Sequence, residues 1–366
     1  MVFGLRIWAA AVAVAAAVCG GGAIPAQASA QNAPPLEAYG ALPAIEYLEL
    51  SPSGDRLARI TVAGEIRALV VTDMSGGLLF VADVGDVKVR VLRWLGEDKV
   101  LVVTSRTESI ASLGVPRSEL YFGQILDLQT QRMVQVLNRT PDVLAVLYGP
   151  ATIRRSDEGA TLYARGVNLV TNQIDLHAIS LTSGRGRPVK GMDREIEDFV
   201  QDPSGDVIAM GRYVERSKQW TLRLKQGNFF RDGWSTEAPI DTPAFYGLGR
   251  TARSIIIGAD RPDLAPADPE AETLDVLFEV DVDSGEWSPL PFEHHPDFLV
   301  HHPVTQLLIG AGRTEDDGVH YEFIDADAAR RWAAIERAFA GKRPKLVSWN
   351  DAQDQIVVFT DQGEAG

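Results

Sequence analysis

The chain has 366 residues with a formal net charge of −15, and 45% of its residues are hydrophobic. This composition is typical of a globular chain that is long enough to bury a core in one large domain. The acidic excess disfavours nucleic acid or an anionic membrane as a partner, because both require a basic surface.

The first 30 residues have the pattern of a secretory signal peptide. Arg6 supplies a positive charge, Ile7–Val18 is apolar, and Ala28–Ala30 provides the small residues of a cleavage site. We therefore expect cleavage after Ala30 and an exported mature protein, periplasmic or extracellular, that begins at Gln31.

Cys19 is the only cysteine of the sequence, and it lies within this segment. Lipidation of Cys19 is the alternative to cleavage after Ala30, but the preceding Val18 is bulky where a small residue is wanted. The apolar run is shorter than the ~20 residues of a spanning helix, so we expect no stable membrane span. A mature chain without cysteine would exclude disulfides, thiolate metal sites and cysteine nucleophiles.

After a lead-in at residues 31–45, one pattern recurs to the end of the sequence. In Leu48–Ile60 an apolar strand is followed by the turn Pro52-Ser53-Gly54-Asp55 and a second apolar strand, and Val200–Met210 nearly repeats it. Proline favours the first central position of such a turn, and glycine accepts a positive φ without a clash. Seven such hairpins have their turns near Ser51, Gly96, Asp157, Pro203, Gly249, Pro303 and Asn350.

Most of these turns are about 45 residues apart, which is the length of one four-stranded propeller blade. Two longer spacings contain the insertions Arg106–Ser118 and Asp260–Glu272. Further strands follow most hairpins, as in Leu120–Leu128 after the second. We predict an all-β fold, a seven-bladed β-propeller over residues 46–366, with blades starting near residues 46, 91, 153, 198, 245, 298 and 346.

The last two units differ from the others. In the sixth, Ala328–Ala340 is predicted to be a helix that Asp327 caps and Gly341 ends. Its apolar face consists of Trp332, Ile335 and Phe339. We expect this helix to pack on the side of the propeller, with a membrane-surface helix as the alternative. In the seventh, only two strands precede the last residues, so we expect an incomplete blade with unpaired backbone groups.

No motif for catalysis or cofactor binding is found. The nearest approach to the Gly-x-Ser-x-Gly elbow of α/β-hydrolases is Gly233–Glu237, which lacks the second glycine. No Walker A or Gly-x-Gly-x-x-Gly pattern opens a helix, and the acidic turn Asp281–Glu286 lacks EF-hand spacing. We therefore predict no catalytic residue and no cofactor.

Four histidines form the one cluster with the composition of a metal site, although ordinary loop histidines explain it better. Adjacent residues of a strand face opposite sides, so the pairs converge on one ion only if a turn redirects them, and the His-Pro steps supply such turns. These weak candidates are His294, His295, His301 and His302.

The repeats resemble those of WD40-like propellers, on the residues of Leu50–Ala58, Asp202–Asp206 and Asp281–Gly285. The order of parts, with Ala41–Glu46 before the first repeat and the helix before Val347–Asn350, resembles the N-terminal half of exported bacterial prolyl oligopeptidase family serine peptidases. These are peptidases of the dipeptidyl aminopeptidase or acylaminoacyl peptidase type.

In that family the propeller gates peptide access to a C-terminal α/β-hydrolase domain that carries the catalytic triad. The sequence ends within the predicted seventh blade, so we expect no hydrolase domain here and no catalytic residue to transfer. The resemblance implies a non-catalytic gating propeller, whose partners would be a separate α/β-hydrolase domain or peptide substrates. The alternatives are a stand-alone periplasmic binding or scaffold propeller of the TolB-like kind, and an enzyme whose site lies in the propeller channel.

Overall fold

A computed structural model describes residues 43–64, 66–110, 115–156, 159–261, 263–264, 276–316 and 318–360. The predicted signal peptide, most of the lead-in and most of the insertion at 260–272 lie outside these residues. Within the described part of the chain, no helix is long and apolar enough to cross a membrane.

The described strands form antiparallel sheets in which consecutive strands are neighbours. The first three sheets, which we call blades 1 to 3, have four strands each. Blade 1 consists of β1 (Ile45–Leu50), β2 (Arg56–Ala63), β3 (Ile66–Asp73) and β4 (Leu78–Gly85). Blade 2 consists of β5 (Lys88–Trp94), β6 (Lys99–Ile110), β7 (Val115–Asp127) and β8 (Arg132–Gln135). Blade 3 consists of β9 (Thr152–Ser156), β10 (Gly159–Val167), β11 (Ile174–Ile179) and β12 (Gly186–Met192).

Blades 4 and 5 repeat this order, and blade 6 has three strands. Blade 4 consists of β13 (Ile196–Gln201), β14 (Val207–Val214), β15 (Gln219–Gln226) and β16 (Phe229–Glu237). Blade 5 consists of β17 (Ala244–Leu248), β18 (Ser254–Gly258), β19 (Leu277–Asp281) and β20 (Trp287–Pro289). Blade 6 consists of β21 (Phe298–His301), β22 (Leu308–Glu315) and β23 (Gly318–Phe323). A last sheet, called the seventh sheet, pairs β24 (Pro344–Trp349) with β25 (Ile356–Thr360).

This arrangement is a β-propeller. The first strand of each sheet is innermost, and β1 lies between β5 and β24, so the ring of inner strands closes from the seventh sheet onto blade 1. The prediction of seven blades is wrong in its number, because six blades of three or four strands form. The seventh hairpin remains a two-stranded sheet, since no described strand follows β25 to extend it.

The turn on which the predicted repeat is based has the hydrogen bond and the glycine conformation that its sequence predicts. In blade 1 the amide of Gly54 donates to the carbonyl of Ser51 at 2.9 Å, and Gly54 adopts φ +86°. In blade 4 the amide of Gly205 donates to the carbonyl of Asp202 at 3.0 Å, and Gly205 adopts φ +93°. A side chain at either position would be strained, which explains why glycine stands there.

The single described helix, α1 (Ala326–Ala338), follows β23 and packs on blade 6. Its N-cap is Asp325 and not Asp327 as predicted, because the carboxylate of Asp325 accepts the amides of Asp327 and Ala328 at 3.0 and 2.8 Å. Trp332 is buried, with its ring centroid 4.4 Å from that of Tyr321. The apolar face of the helix is therefore covered by the propeller rather than free for a membrane.

Six apolar clusters fill the spaces between successive sheets, from blade 1 against blade 2 to blade 6 against the seventh sheet. Among the described residues, no such cluster joins the seventh sheet to blade 1. Hydrogen bonds close this seam instead. The hydroxyl of Ser348 accepts from the amide of Leu50 at 3.0 Å and donates to the carboxylate of Glu49 at 2.9 Å. The amide of Asp351 donates to the carbonyl of Pro52 at 2.9 Å.

Candidate ligand site in the central channel

A cavity of about 510 Å³ lies among the inner strands of the propeller. This volume lies within the ~300–1,000 Å³ of most small-molecule sites. The innermost strands of blades 1, 2, 3 and 6 and of the seventh sheet line it, whereas β13 and β17 do not. Its apolar wall includes Val103, Ile153, Leu299, Leu346 and Trp349.

Three arginines from two strands supply the positive charge of this cavity: Arg93 on β5, and Arg154 and Arg155 on β9. Consecutive side chains of a strand point to opposite sides. Arg154 therefore reaches blade 4, whereas Arg155 reaches back to the carbonyl of Trp94 at 2.9 Å and to Asp351 of the seventh sheet. Neighbouring residues in the sequence thus serve opposite sides of the channel.

Among the described residues, the partners of Arg154 are backbone carbonyls. Its Nε, Nη1 and Nη2 donate to Asp202, Ile153 and Gln201 at 2.8, 3.1 and 2.7 Å. Burial lowers the pKa of Arg154 to about 10, and the nearby charge of Asp202 opposes this change. The guanidinium therefore remains protonated at neutral pH.

Arg93 lies beside the carboxylate of Glu49 and keeps 59% of its side chain exposed, whereas that of Glu49 is 14% exposed. Although water reaches Arg93, the protein surrounds it closely. Burial in the channel therefore lowers the pKa of Arg93, and the positive charge of Arg155 lowers it further. An accessible cation in a confined space can contact an incoming ligand.

The ion pair between Arg155 and Asp351 joins blade 3 to the seventh sheet. Burial raises the pKa of the Asp351 carboxyl, and the charge of Arg155 opposes that effect. This pair therefore stabilises the closed ring as well as contributing to the electrostatics of the channel.

In the described part of the chain, no three His, Cys, Asp or Glu side chains form a group that could hold a metal ion. His301 lines the channel, and burial lowers the pKa of its imidazole. His302 stabilises its own turn, because its Nδ1 accepts the amides of Val304 and Thr305 at 3.1 and 3.3 Å. His294 and His295 precede β21 in an exposed loop.

A second cavity of about 500 Å³ lies beside blade 3 and contains His177, Ser180 and Ser183. The Nδ1 of His177 lies 3.0 Å from the carbonyl of Asp175 rather than from its carboxylate. The hydroxyl of Ser183 donates to that of Ser180 at 2.9 Å. The described contacts therefore do not link serine, histidine and carboxylate in the order of a catalytic triad.

Ser235, the serine of the incomplete elbow motif, lies on β16, and its hydroxyl donates to that of Thr221 at 3.0 Å. A strand on the outside of a blade does not present a nucleophile at a strand-to-helix turn. Ser235 therefore contributes a hydrogen bond between two strands of blade 4.

The channel arginines were not predicted as a site. In the sequence they stand out only as charged residues beside apolar residues of a predicted strand, as in Ile153-Arg154-Arg155. Many exposed strand positions carry arginine, so this signal by itself does not identify a cavity.

No protein-family model matches the chain, and no curated protein is similar to it. Among solved structures, it is similar to the β-propeller domain of the trilobed protease from Pyrococcus furiosus, with an open velcro topology (9% identity, TM-score 0.43, covering 77% of this chain and 81% of that one). It is also similar to a 6-phosphogluconolactonase-like protein from Bacteroides uniformis (13% identity, TM-score 0.40, covering 78% and 83%). A third similar structure is the hydrazine synthase of Kuenenia stuttgartiensis (12% identity, TM-score 0.45, covering 88% and 96%).

Proposed function

We propose that this chain is a non-catalytic β-propeller that binds short peptides in its central channel. The observation that carries the proposal is the cavity of about 510 Å³, in which apolar side chains and three arginines converge. An apolar pocket with a few converging polar groups is the usual form of a ligand site.

The biological role that we propose is the gating of a prolyl oligopeptidase-like serine peptidase, with a separate α/β-hydrolase domain as the catalytic partner. Its support is the resemblance of the repeats and of their order to the propellers of that family. We further propose export, with cleavage after Ala30, and N-terminal sequencing of the exported protein should then begin at Gln31.

Two experiments test the catalytic and binding parts of this proposal. A serine-reactive fluorophosphonate probe should not label the purified mature chain, and specific labelling would show an active serine within it. Calorimetric titration with an acetylated tripeptide should detect binding that Thr152→Trp abolishes, because Thr152 lines the cavity. Thr236→Trp on the outermost strand of blade 4 is the control, and it should bind as the parent does.

A stand-alone binding or scaffold propeller is the second candidate, and the closed ring of inner strands favours it, since β24 lies against β1. A chain that closes its own ring should be monodisperse and should melt in one cooperative transition. A broad transition would favour a gating domain that needs a second domain for stability.

A further inference from the structure

The channel is cationic within an acidic protein. The residues that line it include three arginines, Arg93, Arg154 and Arg155, but one carboxylate, Glu49. Asp351 pairs with Arg155 from outside the lining. The whole chain carries −15. A positive charge in a cleft with protein walls attracts anions, because the low-dielectric walls concentrate its field.

Among the described ion pairs, Arg154 has no carboxylate partner: its guanidinium donates to backbone carbonyls, and the charge of Asp202 lies nearby. A guanidinium has five N–H donors, and these contacts use three of them. Two N–H groups of this channel residue therefore have no acceptor among the described contacts. A desolvated cation is stabilised more by an anionic acceptor than by a neutral one.

Arg93 provides a second, accessible donor group in the same cavity. Its neighbour Glu49 is also held by the hydroxyl of Ser348 at 2.9 Å, so this carboxylate has another partner if Arg93 turns to a ligand. The planar fork of arginine matches the two oxygens of a carboxylate.

The remaining wall of the cavity is apolar, and it indicates the chemistry of the rest of the ligand. Leu299, Leu346 and Trp349 are apolar and belong to blade 6 and the seventh sheet, across the ring from Arg154. A ligand that satisfies both walls has an anionic end and an apolar body.

We propose that the channel selects short peptides by their free C-terminal carboxylate, which Arg93 and Arg154 bind, while an apolar side chain contacts the opposite wall. This inference rests on the proposed function and specifies its ligand. A carboxylate-terminated peptide enters with its anionic end towards β5 and β9.

The test uses acetyl-Leu-Ala-Leu as the free acid and as the C-terminal amide, titrated into the mature chain by calorimetry. Acetylation removes the N-terminal charge, so the two peptides differ only at the C-terminus. The acid should bind about 10-fold to 100-fold more tightly than the amide, as expected for one charge-assisted contact. Raising the salt concentration should reduce this difference.

Arg93→Gln should weaken the binding of the acid towards that of the amide, because only Arg154 then remains to contact the carboxylate, and it should leave the binding of the amide unchanged. Arg93→Lys should restore part of the difference, because it keeps the charge but not the fork. The control is Arg313→Gln, which breaks a comparable pair with Glu315 on blade 6 but does not line the channel. Circular dichroism melts of all variants verify that they fold.

Equal binding of acid and amide would overturn the carboxylate proposal while leaving peptide binding in place. Binding of neither peptide would overturn both the inference and the proposed function. A loss of acid binding in Arg313→Gln equal to that in Arg93→Gln would also contradict the assignment, because the effect would then come from net charge alone.

Discussion

Ser348 offers the sharpest test of how the ring closes. This buried residue accepts the amide of Leu50 and donates to the carboxylate of Glu49 across the seam between the seventh sheet and blade 1. Ser348→Ala removes both contacts and leaves the buried Leu50 amide without its acceptor. Such a loss costs about 1–3 kcal/mol, so the free energy of unfolding should fall by that amount.

The assay is urea unfolding followed by circular dichroism and by tryptophan fluorescence. The midpoint should move to lower urea while the slope of the free energy against urea stays the same, because the surface exposed on unfolding does not change. The control is Ser235→Ala on β16, which also removes a hydroxyl hydrogen bond but at an exposed position. It should change the free energy of unfolding by less than about 0.5 kcal/mol. If both variants give the same small change, the polar closure does not stabilise the ring.

Three further predictions concern the blades. Trp332→Ala should destabilise the protein by about 3–5 kcal/mol in thermal or urea unfolding, because it empties the buried contact between α1 and blade 6. Gly184→Ala should lower the melting temperature more than Gly64→Ala: both glycines have positive φ, but an added Cβ meets a backbone oxygen at 1.9 Å only in the first. Asp127 should stabilise the fold above the unfolded pKa near 4, because its hydrogen bond with Lys99 lowers its folded pKa to about 2. This stability should be lost as the pH falls from about 4 to about 2, and Asp127→Asn should flatten that part of the stability profile.

The seam has a further consequence for the propeller. Each of the six other junctions is filled by apolar side chains, whose burial is the main source of stability in such a fold. Blade 1 contains β1 to β4 and the seventh sheet contains β24 and β25, so no strand is exchanged between the two ends of the described ring. The contacts of Ser348 and Asp351 with blade 1 therefore carry the closure, and the pair of Arg155 and Asp351 supports it from blade 3.

The repeated hairpins were predictable because their information is local. Pro52 and Gly54 specify a turn within four residues, and the alternating apolar residues on either side specify which face of each strand is buried. The helix was also predictable in kind, although its cap was assigned to Asp327 instead of Asp325. Both aspartates precede the same apolar run, and only the backbone conformation shows which one accepts the first amides.

The number of complete blades depends on pairing, which a local pattern does not contain. A hairpin such as β24–β25 has the same sequence pattern whether or not further strands extend it, so counting hairpins overestimated the blades as seven. The metal candidates illustrate the same limit, since His302 turned out to cap its own turn.

The sequence by itself determined the all-β repeat, the turns and the apolar face of each strand, since these follow from residues close together in the chain. Only the tertiary structure decided that Arg93 and Arg154, about 60 residues apart, line one cavity with Leu299 and Leu346. The alternation of residues along a strand shows which face of the sheet a side chain lies on. The space next to that face depends on how the other blades pack. The physical reason is that the channel is a property of the closed ring and of none of its repeats.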